Sequence, residues 1–346
     1  MNKFIKLNNK YYPILNIQKN IKQSNSITHN NINNINSIKQ QNNNTTSTTN
    51  TNNTNNYDIN YLNKLDDFSE LYKINKNKIL DNKINEYRYF CYKYLDYIRN
   101  IKLPKLELNL EKEAILIEFR PFVHLEFILR NAINKIGNDW SYTIVCGNIN
   151  YDLIKNFCDN TPQGLLGSTP SIERNISKNI KIIKLNYNNI NRDDYNKLLY
   201  SYDFWNLFTG EKLLIYQDDS CIFKNNINDF IIYDYIGAPW NTKFNLNSNV
   251  GNGGFSIRTK KIMLQITNLI KNEISDKLKK NIKLQAEDIF FSNYMINHKI
   301  GIVADYDIAL KFSIELIYYN DPLGSHQMWL CDNNWKKRMY DNIIKL

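Results

Sequence analysis

The stretch Ala114-Ile-Leu-Ile-Glu-Phe119, followed by His124-Leu-Glu-Phe-Ile-Leu-Arg-Asn-Ala-Ile133, decides the fold of this chain. The first segment is a short apolar run of strand length, and in the second the apolar residues recur at helical spacing. The same succession repeats, with strands predicted at 142–146, 180–185 and 212–216 and helices at 151–158 and 192–208. Alternating elements with apolar strand centres predict a mostly parallel sheet with helices on both faces, a Rossmann-like α/β fold.

The chain before this domain divides into two further segments. Residues 18–56 are almost all Asn, Thr, Ser, Ile and Gln. They cannot bury enough apolar surface to order themselves, so we expect 1–56 to be mostly disordered and Asn-rich, with a self-association tract as the alternative. Residues 84–99 show helical apolar spacing, which Pro104 interrupts. We therefore predict an accessory helical segment over 57–104 and the α/β domain over 105–346.

The composition argues against several classes of protein. The net charge is +10, but Lys, Asn, Ile and Tyr are abundant together and no Lys/Arg block stands out, so we expect no nucleic-acid partner. The five cysteines include no Cys-x-x-Cys pair, which predicts buried, reduced thiols. No apolar stretch near the first residue is long enough for a signal peptide or an anchor. We expect a cytoplasmic protein without stable membrane insertion.

Two carboxylates follow the fourth predicted strand, in Gln217-Asp-Asp-Ser220. In open α/β sheets, ligands bind beyond the carboxyl ends of the strands. Adjacent carboxylates there are costly to desolvate unless they bind a cation, so one could hold a divalent ion that in turn holds a diphosphate. The alternative is a solvated turn, for which Asp-Asp-Ser is ordinary.

Three further motifs carry residues that suit a binding or catalytic site. The turn Gly251-Asn-Gly-Gly254 either brings the backbone close to a ligand or simply leads into a helix. Glu287-Asp288 begins another predicted helix, where acidic side chains act as a general base or only complement the helix dipole. His326 lies between a glycine and a tryptophan, and is either a metal ligand or a packed core residue.

A set of motifs between residues 115 and 329 is similar to one known family. The set comprises Glu118-Phe-Arg-Pro-Phe-Val-His124, Asp203-Phe-Trp205, Leu214-Ile-Tyr-Gln-Asp-Asp-Ser220, Tyr233-Asp-Tyr-Ile-Gly-Ala-Pro-Trp240, Gly251-Asn-Gly-Gly-Phe-Ser-Ile-Arg258, Glu287-Asp-Ile-Phe-Phe-Ser292 and Leu323-Gly-Ser-His-Gln-Met-Trp329. In this order they resemble domain-of-unknown-function family 5672, which looks like a branch of the GT-A nucleotide-sugar glycosyltransferases. The resemblance implies a GT-A-like fold for residues 105–346.

The resemblance also implies a metal site. Asp219 matches the family's retained carboxylate and would take the place of the D-x-D metal ligand for Mn²⁺ or Mg²⁺. His326 resembles the C-terminal histidine that completes the metal site in several GT-A families. Gln217 stands where the first Asp of a strict D-x-D would be, which is a departure from the pattern. Asp218 occupies a position that the family varies and is a weaker candidate, on the donor side.

Donor binding and catalysis are implied for other matching positions. Arg120 would meet the nucleotide or its phosphates, and Gly253 and Gly254 would line the cleft for donor and acceptor. Glu287 and Asp288 resemble the Glu-Asp pair of inverting enzymes, in which the Asp serves as the base.

The function that the resemblance implies is transfer of a sugar from a nucleotide-diphosphate sugar to a hydroxyl acceptor, with metal dependence and inversion. The acceptor could be a glycan, a protein or a small molecule. Three other classes stay open: a metal-dependent nucleotidyltransferase or phosphoesterase, a catalytically silent nucleotide-sugar-binding module, and a structural partner protein assembled through residues 1–104.

Overall fold

The computed structural model describes residues 3–7, 10–14, 79–159, 176, 179–240 and 249–345. The strands are β1 Lys3–Leu7, β2 Lys10–Ile14, β3 Lys112–Ile117, β4 Ser141–Cys146, β5 Lys181–Lys184, β6 Lys212–Tyr216, β7 Ser220–Ile222, β8 Tyr235–Gly237, β9 Phe255–Thr259, β10 Ser313–Ile314 and β11 Gly324–His326. The α-helices are α1 Ile79–Lys93, α2 Leu95–Arg99, α3 Leu125–Ile136, α4 Tyr151–Asp159, α5 Arg192–Leu199, α6 Tyr202–Trp205, α7 Lys260–Leu269, α8 Lys271–Lys279, α9 Glu287–His298, α10 Tyr306–Phe312 and α11 Trp335–Met339. Short 3₁₀-helices lie at Ile227–Phe230 and Met328–Leu330, and Tyr340–Ile344 forms a π-helix.

The central sheet has six strands within the described residues, in the order β5-β4-β3-β6-β9-β8. The first four run parallel, with Ile115 paired to Thr143 on one side and to Ile215 on the other. Strand β9 runs antiparallel to β6, and β8 runs antiparallel to β9. The α/β fold with a mostly parallel sheet is therefore confirmed. Within the predicted disordered segment 1–56 the structure describes only β1 and β2, which pair antiparallel as a separate two-stranded sheet. The other residues of that segment lie outside the described ones, and the boundaries at 56 and 104 stay predictions.

Helices cover the sheet on both faces. Ile115 and Ile117 of β3 pack into one apolar cluster with residues of α5, α6, α7 and α9, such as Phe204 and Met263. Because side chains alternate along a strand, the buried Leu116 points to the opposite face. The helix α3 is buried along most of its length and contacts α1, α2 and α4. Burial on both faces explains why the strand centres are apolar throughout.

One predicted helix, over 192–208, is instead two helices. Helix α5 ends at Leu199 and α6 begins at Tyr202, with Ser201 in an extended conformation between them. The indole Nε1 of Trp205 donates to the carbonyl of Leu199 at 2.7 Å. This hydrogen bond satisfies one of the carbonyl groups that the end of a helix leaves without a partner. It therefore lowers the free-energy cost of ending α5 at Leu199.

A further sheet has three strands, in the order β10-β11-β7. Strand β7 follows β6 directly, and β11 pairs with it antiparallel, with His326 opposite Ser220. This pairing brings the histidine from near the end of the chain to the acidic residues that follow β6.

The helix α1, from the predicted accessory segment, packs on the described domain through aromatic residues. The ring of Tyr87 lies 5.1 Å from that of Trp329 and 5.8 Å from that of Trp335. Its hydroxyl donates to the carbonyl of Ser220 at 2.7 Å. The residues of the predicted accessory segment that lie before α1 are outside the described ones.

Four of the five cysteines are buried, Cys331 is half-buried, and all are free thiols.

Among the described residues, no helix has the length and apolar character needed to cross a membrane.

A buried carboxylate at the start of β3 anchors the sheet, which yields a stability prediction. Glu113 accepts hydrogen bonds from the hydroxyl of Thr143 and from the backbone N–H groups of Thr209 and Gly210, at 2.6 and 2.8 Å for the latter two. We expect Glu113→Ala to lower the free energy of unfolding by about 2–4 kcal/mol, because the buried N–H of Gly210, the N–H of Thr209 and the hydroxyl of Thr143 lose their acceptor. Denaturant unfolding measures the change.

The control is Glu111→Ala, at an exposed position just before the same strand. Its effect should stay within about 0.5 kcal/mol. A loss of stability in Glu113→Ala no larger than that of the control would contradict the anchoring role.

Candidate functional site

A cleft of about 500 Å³ opens at the carboxyl ends of β3 and β6. The segments that line it include the residues that follow β3, those that follow β6, the glycine turn before β9, the start of α9 and the end of β11. Residues from α1, from the start of α5 and from the segment after β10 also contribute. The lining segments bring together all the residues that the sequence singled out: Arg120, Asp218, Asp219, Gly253, Gly254, Glu287, Asp288 and His326. The roles predicted for them stay predictions, but their convergence gives each a geometry.

Asp218 is held by two arginines. Its Oδ2 accepts from Nε of Arg88 at 2.8 Å, and its Oδ1 accepts from Nη2 of Arg120 at 3.0 Å. Nε2 of the buried His124 lies 3.1 Å from the backbone carbonyl oxygen of Asp218. Burial would raise the pKa of the Asp218 carboxyl, but the charges of Arg88 and Arg120 outweigh it and hold that pKa well below its ordinary value. Both carboxylate oxygens are therefore committed to cations of the protein itself.

Arg120 is the more accessible of these two arginines. Its side chain is 39% exposed, whereas that of Arg88 is 6% exposed. Besides Asp218 it contacts Glu118, whose oxygens accept from Arg120 Nε at 2.8 Å and from Nη2 at 2.6 Å. Burial would lower the pKa of Arg120, but the two carboxylates outweigh it and raise that pKa, so the guanidinium stays charged. A fixed, partly exposed cation in a cleft suits an anionic ligand.

Asp219, the neighbour of Asp218, points to His326 instead. Its Oδ1 lies 3.1 Å from Nε2 of His326. The two atoms are not aligned for a hydrogen bond, and each is buried without a hydrogen-bond partner. The other oxygen of Asp219 accepts from the amide of Gln327 at 2.9 Å. Two buried polar atoms, of the types that bind divalent cations, thus face each other.

The electrostatics of this pair favour positive charge between the two atoms. Burial would lower the pKa of His326, but Asp219 and Glu315 outweigh it and raise that pKa well above its ordinary value. The pair therefore attracts either a proton on the ring or a metal ion. Carboxylate oxygen and imidazole nitrogen together suit Mn²⁺ better than Mg²⁺, which prefers oxygen alone. Within the described residues no group of three or more His, Cys, Asp or Glu side chains could hold a metal, so this pair by itself offers an ion two ligands.

The glycine turn before β9 leaves room for three side chains of the site. A Cβ added at Gly251 would overlap the indole of Trp240. One at Gly253 would overlap the carboxylate of Glu287, and one at Gly254 the ring of His326. The absence of side chains at these three glycines therefore lets residues from three separate segments reach the cleft.

Glu287 and Asp288 are adjacent but have different surroundings. Glu287 is buried in a two-pronged ion pair with Arg258, with N–O distances of 2.5 and 3.0 Å. The guanidinium of Arg258 lies within 5.5 Å of the ring of Trp205 and 4.9 Å of that of Tyr235. Burial would lower the pKa of Arg258, but Glu287 outweighs it and raises that pKa, so the pair is ionic.

Asp288 is half-buried and lines the cleft. Its Oδ2 accepts from the backbone N–H of Gly253 at 3.1 Å, and its Oδ1 accepts from the N–H of Ile289 at 2.8 Å. No arginine or lysine pairs with it among the described residues. Of the two acidic residues, it is the one available to a molecule in the cleft.

Sequence reasoning missed four residues of the site. Glu118 orients Arg120, Arg88 pairs with Asp218, and Glu315 and Asn252 both contact Nδ1 of His326. Glu118 and Asn252 stood inside recognised motifs without an assigned role. Arg88 and Glu315 lie outside the recognised motifs, and only tertiary packing brings them to Asp218 and His326.

Comparison with known proteins gives one family match. The model of a family described as "Protein of unknown function (DUF5672)" matches residues 179–326. The predicted resemblance to this family is confirmed over that stretch, which contains Asp219, Asp288 and His326 but neither Arg88 nor Arg120. A search of curated proteins gives no match.

Among solved structures, the chain is similar to the apo form of the glycosyltransferase GlyE from Streptococcus pneumoniae TIGR4. The match has a TM-score of 0.37 and 11% sequence identity, and covers 62% of this chain. It spans 54% of that protein, about half of its length.

The ion pairs of Arg88 and Arg120 with Asp218 yield a second stability prediction. Arg88→Met leaves a buried carboxylate with one arginine instead of two, so we expect the free energy of unfolding to fall by about 2–3 kcal/mol. Denaturant unfolding of the full chain measures it.

Glu86→Gln is the matched control, since Glu86 lies on α1 like Arg88 and pairs with Lys336 of α11. The two side chains of this pair are 53% and 57% exposed. Exposed pairs of this kind contribute little, so its loss should stay below about 1 kcal/mol. Equal losses in the two variants would show that the Arg88–Asp218 pair does not stabilise the domain.

Proposed function

We propose that this chain transfers a sugar from a nucleoside-diphosphate sugar to a hydroxyl acceptor, with a divalent cation held by Asp219 and His326. The observation that carries the proposal is the buried pair Asp219 Oδ1 and His326 Nε2, which lie 3.1 Å apart and have no hydrogen bond to any other group, in a cleft that also holds a cationic arginine and an available carboxylate. The described part of the chain offers two ligands, so the ion would complete its coordination with oxygens of the bound donor and with water. Mn²⁺ bound there would neutralise the charge that develops on a leaving diphosphate.

Arg120 supplies a second positive charge for the diphosphate. Glu118 and Asp218 fix its guanidinium from two sides, and its partly exposed side chain lies in the cleft. A charge held in place before the reaction requires no reorganisation when the leaving group departs. Asp218 thus contributes to donor binding through Arg120 and not as a metal ligand.

Asp288 is the group that we assign as the general base. Its carboxylate faces the cleft and carries two backbone hydrogen bonds that fix its orientation. It would take the proton from the acceptor hydroxyl as that oxygen attacks the anomeric carbon, with inversion of configuration. Glu287 is committed to Arg258, so its role is to hold the start of α9 and the glycine turn in place.

The donor test is a thermal-shift panel of the purified chain against nucleoside-diphosphate sugars, each with and without Mn²⁺. We expect one class of donor to raise the melting temperature only when Mn²⁺ is present, because ligands that bind the native state stabilise it, by about 2.7 kcal/mol at a hundred times the dissociation constant. Asp219→Ala should lose this metal-dependent rise. Asp203→Ala, at an exposed aspartate on α6, should keep it.

A folded chain that gives no rise with any donor contradicts the proposed function. A rise that needs only a nucleotide, with no sugar, would indicate nucleotidyl transfer or phosphoester hydrolysis instead.

The base assignment is tested by turnover of the donor that the panel identifies. Asp288→Asn keeps the shape of the side chain but removes the proton acceptor, so we expect nucleoside-diphosphate release to slow by about 10²–10⁴-fold. The donor-dependent thermal shift should be unchanged, because Asp288 acts on the acceptor.

Asp307→Asn is the matched control, since Asp307 also lies in the first turn of a helix but outside the cleft. Its turnover should equal that of the unmodified chain. Wild-type turnover in Asp288→Asn would remove the base role.

A further inference from the structure

Two side chains hold the far side of the His326 ring. Nδ1 of His326 lies 3.0 Å from Oε1 of Glu315 and 3.2 Å from the amide nitrogen of Asn252. The same amide donates to the other oxygen of Glu315. The three side chains come from β11, from the residue that follows β10 and from the glycine turn, so they close a triangle between separate segments.

The hydrogen bond to Glu315 decides that Nδ1 of the His326 ring carries a proton. A carboxylate can only accept, so the hydrogen bond between Glu315 and His326 needs the proton on Nδ1. The amide of Asn252 donates to Glu315 and does not compete for that proton. Nε2, on the opposite side of the ring, is then left to face Oδ1 of Asp219.

The backbone holds Asn252 in the orientation that this arrangement needs. Asn252 has a φ of 65°, in the left-handed region that Asn tolerates better than most residues. Its Oδ1 accepts from the N–H groups of Gly254 at 2.9 Å and Phe255 at 3.3 Å, which directs the NH₂ group to Glu315. Because Gly254 has no side chain, the ring of His326 can lie against the turn.

We infer that Glu315 is a positioning residue for the metal site, and that Asn252 holds Glu315 in place. The inference rests on the proposed function, since it concerns the same ion. Histidines that bind metals commonly donate their other N–H to a carboxylate, and loss of that carboxylate lowers metal affinity about 10–100-fold. Glu315 does not bind the ion itself, because it lies on Nδ1 and not on the side that faces Asp219.

The test is a titration of the full chain with Mn²⁺ alone, in which electron paramagnetic resonance measures the free ion. We expect Glu315→Gln to bind Mn²⁺ about 10–100-fold more weakly than the unmodified chain. Asp219→Asn should lose binding altogether. Asp321→Asn, an exposed acid in the segment between β10 and β11, should bind like the unmodified chain.

Unfolding of each variant without metal separates positioning from a purely structural role. If Glu315 only stabilised the fold, Glu315→Gln would lower the unfolding temperature and leave the Mn²⁺ dissociation constant of the folded fraction unchanged. Asn252→Gly, which tolerates the left-handed backbone, removes the amide that holds Glu315 and should also weaken Mn²⁺ binding.

The outcomes distinguish this inference from the proposed function. Unchanged Mn²⁺ affinity in both Glu315→Gln and Asn252→Gly, with binding lost in Asp219→Asn, overturns the positioning role and leaves the metal site standing. An unmodified chain that takes up no Mn²⁺ overturns the metal site and the positioning role together.

Discussion

The burial of two adjacent carboxylates after β6 is the constraint on which the rest of the site depends. Asp218 and Asp219 are both nearly inaccessible to water, and a buried charge must be compensated nearby. Different groups compensate the charges of the two side chains. Asp218 receives two arginines that belong to the protein, whereas Asp219 faces a histidine and leaves one oxygen without a hydrogen bond. The charge of Asp218 is compensated within the protein, whereas that of Asp219 is compensated by a proton on His326 or, in the proposed function, by a metal ion.

This constraint explains why distant segments meet at the cleft. Arg88 brings in α1, which lies outside the stretch that the family model matches, and His326 brings in β11 from near the end of the chain. The pairing of His326 with Ser220 in the small sheet sets the histidine beside the carboxylates. Position 254 then has to be a glycine, because the ring of His326 lies where a Cβ of Gly254 would be.

The fold was predictable from local patterns to the extent that burial on two faces produces apolar strands. The strands at 112–117, 141–146, 181–184 and 212–216 all follow from such runs. The break between α5 and α6 did not, because it depends on a bond from Trp205 to a carbonyl at the end of the preceding helix. In the site, motifs located Asp219 and His326, but the contacts of Arg88 and Glu315 are set by tertiary packing that a single sequence does not display.

The pair Glu287 and Asp288 shows how one helix start divides two carboxylates between structure and chemistry. Successive residues on a helix point about 100° apart, so the two carboxylates have different surroundings. Glu287 is buried, and its ion pair with Arg258 fixes the first turn of α9 against β9. Asp288 thereby points to the cleft, where the N–H of Gly253 holds it. A rigid, buried partner beside an accessible carboxylate is the arrangement that a positioned general base requires, because the neighbour supplies the rigidity that the base cannot supply for itself.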